Sequence, residues 1–242
     1  AAMRGLRTDT NFDTISGLVF NAWGDRSFDA PYGVWFDGDW DKPRLDDPAI
    51  QKGLSDYAGL MQAGPSDILS YNWNEAGNAF CNGQAAFFAD ASLFGPWFET
   101  DECPVSKGNT GYMALPPQAK GGTSYTANWQ WGIGMGANAQ EKDAGWYFIQ
   151  YMTNKASEAV IGTFHGGAGR LSTWENDSYT STLNPDYVSA TLESMKTVRT
   201  SVVPVKDFNK YALEIMDVIL DIHGGASSED ATAKGNANFK SM

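Results

Sequence analysis

Two histidines and two cysteines are all that this chain of 242 residues offers of the side chains that most often ligate metals or pair as nucleophile and base. His165 and His223 stand far apart, and no H-E-x-x-H, G-x-S-x-G or G-x-x-x-x-G-K-[ST] pattern occurs, so the common hydrolytic, metal and phosphate sites have no support. Gly132, Gly134 and Gly136 alternate without the G-x-G-x-x-G spacing or the downstream acid of a dinucleotide fingerprint, and no cofactor is expected. His223, beside Gly224 at the end of a helical pattern, reads as a helix-dipole partner or a solvated side chain. Basic charge is scarce as well. Seventeen Lys and Arg face 29 Asp and Glu, and the net charge of -12 repels phosphate backbones and anionic lipid, which excludes nucleic acid and polybasic membrane docking. No apolar run reaches the ~18 residues of a membrane span, because Asp90 interrupts the stretch from Ala85 to Phe98. Nor does a charged segment precede an apolar one, so an export signal is expected to be removed or to lie outside this sequence.

With 42% hydrophobic and 19% charged residues, the composition is that of a globular domain able to bury a core. The even cysteine count, without C-x-x-C or a histidine cluster, argues against zinc. Cys81 and Cys103 read as a disulfide, which would imply an oxidising compartment; two buried free thiols are the alternative.

Residues 1–40, rich in Gly, Asp and aromatics without helical period, read as short strands and loops ending in the turn Phe36-Asp37-Gly38-Asp39-Trp40. A helix follows: Asp47 is placed to cap it, Pro48 suits its first turn, and Ile50, Leu54, Tyr57, Ala58 and Met61 share a face. The pattern predicts a second helix from Trp73 to about Asn82, stopped at Gly83, and a buried strand from Gln84 to Ala89. Tyr112 to Leu115 reads as a strand stopped by Pro116-Pro117, and Tyr125 to Ala137 as an extended segment. Glu141 to Thr153 is amphipathic through Ala144, Tyr147, Phe148 and Tyr151, and Lys155 to Phe164 continues helically until His165-Gly166-Gly167. Three helices close the chain: Pro185 to Val198 behind Asn184, Phe208 to Ile222 behind Asp207, and Ser228 to Phe239 opened by Ser227-x-x-Asp230. Strands alternating with helices define an α/β class.

Two sets of side chains could carry chemistry. Asp37, Asp39, Asp41, Asp46 and Asp47 could supply an acid and base for glycoside cleavage, or calcium ligands, but the spacing fails the EF-hand pattern and a solvated loop is the better explanation. Nine tryptophans are the sharper signal, with Trp35, Trp40, Trp97, Trp129, Trp131 and Trp174 in loop-like places. Sugars present apolar C–H faces that stack on indole, while their hydroxyls need polar side chains nearby; Trp129, Trp131, Asp90 and Arg170 form a plausible set.

The run Phe80-Cys-Asn-Gly-Gln-Ala-Ala-Phe-Phe-Ala-Asp90, then Gly95-Pro-Trp97, then Gly111-Tyr-Met-Ala-Leu-Pro116, resembles the order of motifs in family 1 extracellular solute-binding proteins of bacterial ABC transporters. Trp129-Gln-Trp-Gly-Ile-Gly-Met135, Asp143-Ala-Gly-Trp-Tyr-Phe-Ile149, Tyr151-Met-Thr153 and Gly169-Arg-Leu-Ser-Thr173 continue it in the same order. Within the family, Trp129 to Gly132, Arg170 to Trp174 and Gly64-Pro65 look most like members that bind mannitol or sorbitol.

The resemblance implies a type II periplasmic-binding-protein-like fold of α/β class, with this chain forming mainly the second, C-terminal lobe and part of the strand and helix that cross to the first. On that reading residues 1–125 and 167–242 belong to the second lobe and 126–166 make the crossing, as a C-terminal fragment of a longer parent. It implies no catalysis. The implied activity is binding of a small sugar or polyol in an interlobe cleft and delivery to ABC permease subunits, in a periplasmic or extracellular protein, free or lipid-anchored. The implied ligand contacts are Trp129, Trp131, Asp90 and Arg170, with Trp35 and Asp37 as secondary candidates. A glycoside hydrolase and a binding or adhesion module are the competing readings.

Overall fold

The computed structural model describes residues 1–242 apart from Asp29 and Gly166, with the backbone alone described for His165, so part of the expected His165-Gly166-Gly167 helix stop lies outside the described residues. In chain order it contains helices α1 (Phe12–Trp23), α2 (Pro48–Gln62), α3 (Trp73–Cys81) and α4 (Phe94–Phe98), strand β1 (Thr126–Asn128), helices α5 (Lys142–Met152), α6 (Lys155–His165), α7 (Leu171–Trp174), α8 (Asp177–Thr180) and α9 (Pro185–Met195), strand β2 (Val198–Thr200), and helices α10 (Phe208–His223) and α11 (Ser228–Lys240). The chain forms two compact units: the first comprises 1–90, 114–129 and 193–242, the second 91–113 and 130–192.

In the first unit α2 forms where its signals stand. The Asp47 carboxylate accepts from the Ala49 amide at 2.9 Å, Pro48 fills the first position, and the expected face, Ile50 to Met61, is buried. Ser227 caps α11 by accepting from the Asp230 amide at 3.1 Å, and Gly83, at φ 72°, takes the left-handed conformation that a side chain would resist after α3. Asp207 does not cap α10. It lies at φ 56° with its carboxylate 3.0 Å from Lys210 Nζ, so the ion pair occupies the side chain that was expected to reach the helix amides.

Helix α1 replaces the strands and loops expected there. Its sequence hides it, because Phe12, Asp13, Ile15 to Asn21 and Trp23 are all buried, and a helix enclosed on every side has no polar face from which a period can be read. It crosses α2 where Gly53 meets Val19: a Cβ on Gly53 would lie 2.5 Å from the Val19 Cα. Gly53→Ala is therefore expected to force the two helices apart and lower stability by about 1–3 kcal/mol, read from the urea midpoint at unchanged slope. An unchanged midpoint would show that the crossing is not closely packed.

The strands are shorter than expected. β1 and β2 pair in parallel, Thr126 against Val198 and Asn128 against Thr200, with α1 lying over β1. The expected strand at Gln84 to Ala89 is reduced to a single bridge between Ala2 and Phe88, and Tyr112 to Leu115 has no ladder partner among the described residues. Backbone without a neighbouring strand stays extended but unpaired.

The second unit packs Phe94, Phe98, Ala168, Trp174, Tyr179 and Tyr187 into its interior. Tyr187 lies against Gly95, where a Cβ would come within 2.3 Å of the ring, and Glu99 Oε1 accepts from Tyr112 at 2.9 Å and Asn184 at 3.0 Å. Helix α5 buries none of its residues, although its apolar stripe predicts an inward face. Cys81 and Cys103 are both disulfide-bonded, which settles the thiol alternative.

Candidate functional site

The six candidate ligand residues divide between the units. Trp35, Asp37, Asp90 and Trp129 lie in the first, Trp131 and Arg170 in the second.

Trp35 belongs to the core. It is 1% exposed and its ring lies 5.1 Å from that of Phe12, so no face is left for a solute; packing corrects the expectation of a cleft residue. Asp37 stands on the exposed turn closed by the Phe36–Pro43 bridge, 3.3 Å from Arg44 Nη1. The neighbouring acids serve the same turn and helix start, Asp39 accepting from the Asp41 amide and Asp47 holding Arg26 at 2.6 Å as well as capping α2. Arg26 and the helix amide together hold the Asp47 carboxyl below its ordinary value.

Asp90 is a buried structural acid rather than an open ligand group. Its two oxygens accept from Arg4 Nε at 2.8 Å and Nη2 at 2.9 Å, and its side chain is 1% exposed. No local pattern points to Arg4, since its partner lies 86 residues away. Arg4 is wholly buried: Nη1 donates to the Thr10 carbonyl at 2.7 Å, Nη2 also meets Asp13 at 3.0 Å and Thr14 Oγ1, and the guanidinium lies 4.9 Å from the Trp73 ring centre. Tyr57 donates to the Arg4 carbonyl at 2.7 Å.

One guanidinium thus faces two carboxylates. Burial pushes the Asp13 carboxyl above its ordinary value, against the attraction of Arg4 and with the repulsion of Asp90. The native state consequently holds this proton more tightly than the unfolded chain does, and the stability it contributes is lost as pH rises from the ordinary carboxylate value through the raised one. Asp13→Asn removes that loss. Its melting temperature relative to the parent is expected to rise as the pH climbs from the ordinary carboxylate value of about 4; a flat or falling difference would mean that the attraction of Arg4 outweighs burial.

The second unit supplies a different constellation. Trp131 is 80% exposed, and Gln130 and Glu158 both crowd Gly169, whose Cβ would lie 2.6 Å from Gln130 Nε2 and 3.3 Å from Glu158 Oε1. The adjacent Arg170 donates from Nη2 to the Thr153 carbonyl at 2.7 Å and places Nε 2.9 Å from Glu158 Oε2. That oxygen is buried and makes no aligned hydrogen bond among the described residues. Sequence reasoning missed Glu158, which looks like one more solvated acid on a helix. In the first unit Trp129, 43% exposed, directly follows β1. In the second unit, an exposed indole with an amide, a guanidinium and an acceptor is chemistry suited to neutral polyhydroxylated molecules.

Residues 10–159 match the profile of the bacterial extracellular solute-binding protein family, more than half of the chain. The chain belongs to that family. This solute-binding protein is 29% identical over 193 residues to the mannitol-binding protein of Pseudomonas aeruginosa, a match covering 76% of this chain and 41% of that one. Its fold is shared with maltose-bound MalE3 of T. maritima, at TM-score 0.79 and 19% identity, covering 99% of this chain and 59% of that one. It is likewise shared with a ribitol-bound ABC transporter solute-binding protein of Agrobacterium radiobacter K84 (TM-score 0.76, 18% identity, 99% and 58% covered) and a D-mannitol-bound one of Agrobacterium vitis S4 (0.73, 18%, 99% and 60%). The fold is thus that of type II periplasmic binding proteins, and the chain spans about two fifths to three fifths of these longer relatives. Among the described residues no helix is long and apolar enough to cross a membrane, and no three His, Cys, Asp or Glu side chains are placed to hold a metal.

Proposed function

We propose that this protein is part of the substrate-binding component of an ABC importer, taking a small polyol or sugar without chemical change and delivering it to membrane permease subunits outside the cytoplasm. The observation that carries the reading is the exposed Trp129-Gln130-Trp131 segment in a member of this family, with Gln130, Arg170 and Glu158 gathered around Gly169. Names of its relatives give the ligand class: one binds mannitol, and others were solved with mannitol, ribitol or maltose.

In this reading the indoles take the C–H faces of the solute out of water, while Arg170 and Glu158 exchange hydrogen bonds with its hydroxyls. The fork of Arg170 suits vicinal hydroxyls. Asp37, solvated on its turn, is a secondary contact. The solute is held, in this reading, in the interlobe cleft of the longer fold. In this reading the solute is bound and released with no bond broken, as the relatives named for binding rather than for a reaction suggest.

The test is a thermal-shift screen of the natural-length protein against mannitol, ribitol, sorbitol, glucose and maltose, because a ligand that binds only the native state raises the melting temperature by mass action. A concentration-dependent rise with one of them is expected. No rise with any of them would overturn the ligand class.

A further inference from the structure

Strands β1 and β2 are three residues each, and a two-stranded pair so short holds marginally unless other groups support it. Side chains tie both ends of β1 to the chain around β2. Thr126 Oγ1 donates to the Ser194 carbonyl at 3.1 Å, and Ser201 Oγ donates to the Asn128 carbonyl at 3.0 Å. Arg199, the one charged residue of the two strands, stands opposite Ala127 in the register and ties the pair to α1. Its Nη2 donates to the Gly24 carbonyl at 2.8 Å and its Nη1 to the Phe20 carbonyl at 3.4 Å, at the end of α1 where the helix carbonyls gather negative charge. The guanidinium also lies 3.7 Å from the Tyr125 ring centre. Tyr125, just before β1, is held by Asp25, which accepts from its hydroxyl at 2.6 Å, and by Asn21, which accepts from its amide at 3.2 Å.

All of these groups belong to the first unit, and so does Trp129, the residue that follows β1. Where the chain delivers that indole depends on the register of β1, which is held by β2 and, through Arg199, by α1. A binding group gives its full affinity only when a rigid support keeps it near its productive geometry. On the reading of Trp129 as a solute contact, on which this rests, we propose that Arg199 is a positioning residue for solute binding: without touching solute, it anchors β2 and β1 to α1 and so sets the place of the Trp129 indole.

The experiment is calorimetric titration of the natural-length protein with mannitol, ribitol and maltose, in the parent, Arg199→Ala, Trp129→Ala and the double variant. Trp129→Ala is expected to weaken binding about tenfold, which a titration at millimolar solute still reads. Arg199→Ala is expected to weaken it about fivefold in the parent but less than about twofold in the Trp129→Ala background, because the indole through which it acts is then gone. A role confined to stability would lower the melting temperature in both backgrounds and leave the affinity of the folded protein alone. Arg199→Lys keeps a cation at the end of α1 but loses the fork, so its affinity should lie between those of the parent and Arg199→Ala; it carries the test if the alanine variant does not fold. Unaltered affinity in the Arg199 variants or in Trp129→Ala, or an equal loss with and without Trp129, would overturn the proposal and leave the solute reading standing. A parent that binds none of the three solutes would overturn that reading, and the proposal with it.

Discussion

Arg4→Ala is expected to lower the melting temperature by roughly 10 °C. The guanidinium is the counter-charge to Asp90 and Asp13 in the interior of the first unit, and its removal leaves two carboxylates without their cation. Breaking a buried ion pair from one side costs about 3–5 kcal/mol, and each kcal/mol moves the midpoint of a protein of this size by about 2–4 °C. Arg4→Lys should fall between the two, since an ammonium keeps the charge but cannot reach both Asp90 oxygens and the Thr10 carbonyl in one plane. Adding Asp13→Asn to Arg4→Ala should recover part of the loss, because one of the two stranded charges is then gone; the coupling appears as a non-additive double-mutant cycle. Calorimetric scans of the four proteins decide it. Arg4→Ala melting at the parent temperature would mean that the cluster is hydrated and structurally idle.

Trp131→Ala is expected to weaken solute binding at least tenfold, about 1.4 kcal/mol, while leaving the melting temperature of the unliganded protein in place. The indole is 80% exposed, so its truncation removes little packing; what it removes, on the proposed reading, is the apolar face offered to the solute. Trp35→Ala supplies the contrast. Trp35 is buried against Phe12, and its loss should cost about 3–5 kcal/mol of stability, as cavity-forming substitutions of large aromatics do. Titration calorimetry beside thermal denaturation separates the two tryptophans. Unaltered affinity in Trp131→Ala would remove this residue from the site.

These two tryptophans show where sequence reading stops. Both are flanked by loop-like residues, and nothing local says that one faces Phe12 and the other water. Arg4 and Asp90 are likewise set by a contact across 86 positions, which no periodicity reveals. Helices with a cap and a one-sided apolar stripe were readable, α2 and α11 down to their capping residues. Helix α1 was not, since burial on every side erases the stripe, and the strands were overread because β-propensity reports a suitable surface and not a partner strand. Family membership was legible from the collinear order of short motifs, each weak alone, and the profile match over residues 10–159 agrees with it. The apolar stripe of α5 was also legible, but its exposure was not, because a pattern states what seeks cover and not what provides it.

The role proposed for this protein is to bind a polyol or sugar and leave it intact. Its most direct test is calorimetric titration of the natural-length protein with mannitol, ribitol and maltose, with the recovered solute analysed afterwards by chromatography. Saturable binding of one of them at a single site is expected, with the solute recovered unchanged. Absence of saturable heat for all three, or recovery of a cleaved or converted solute, would contradict it.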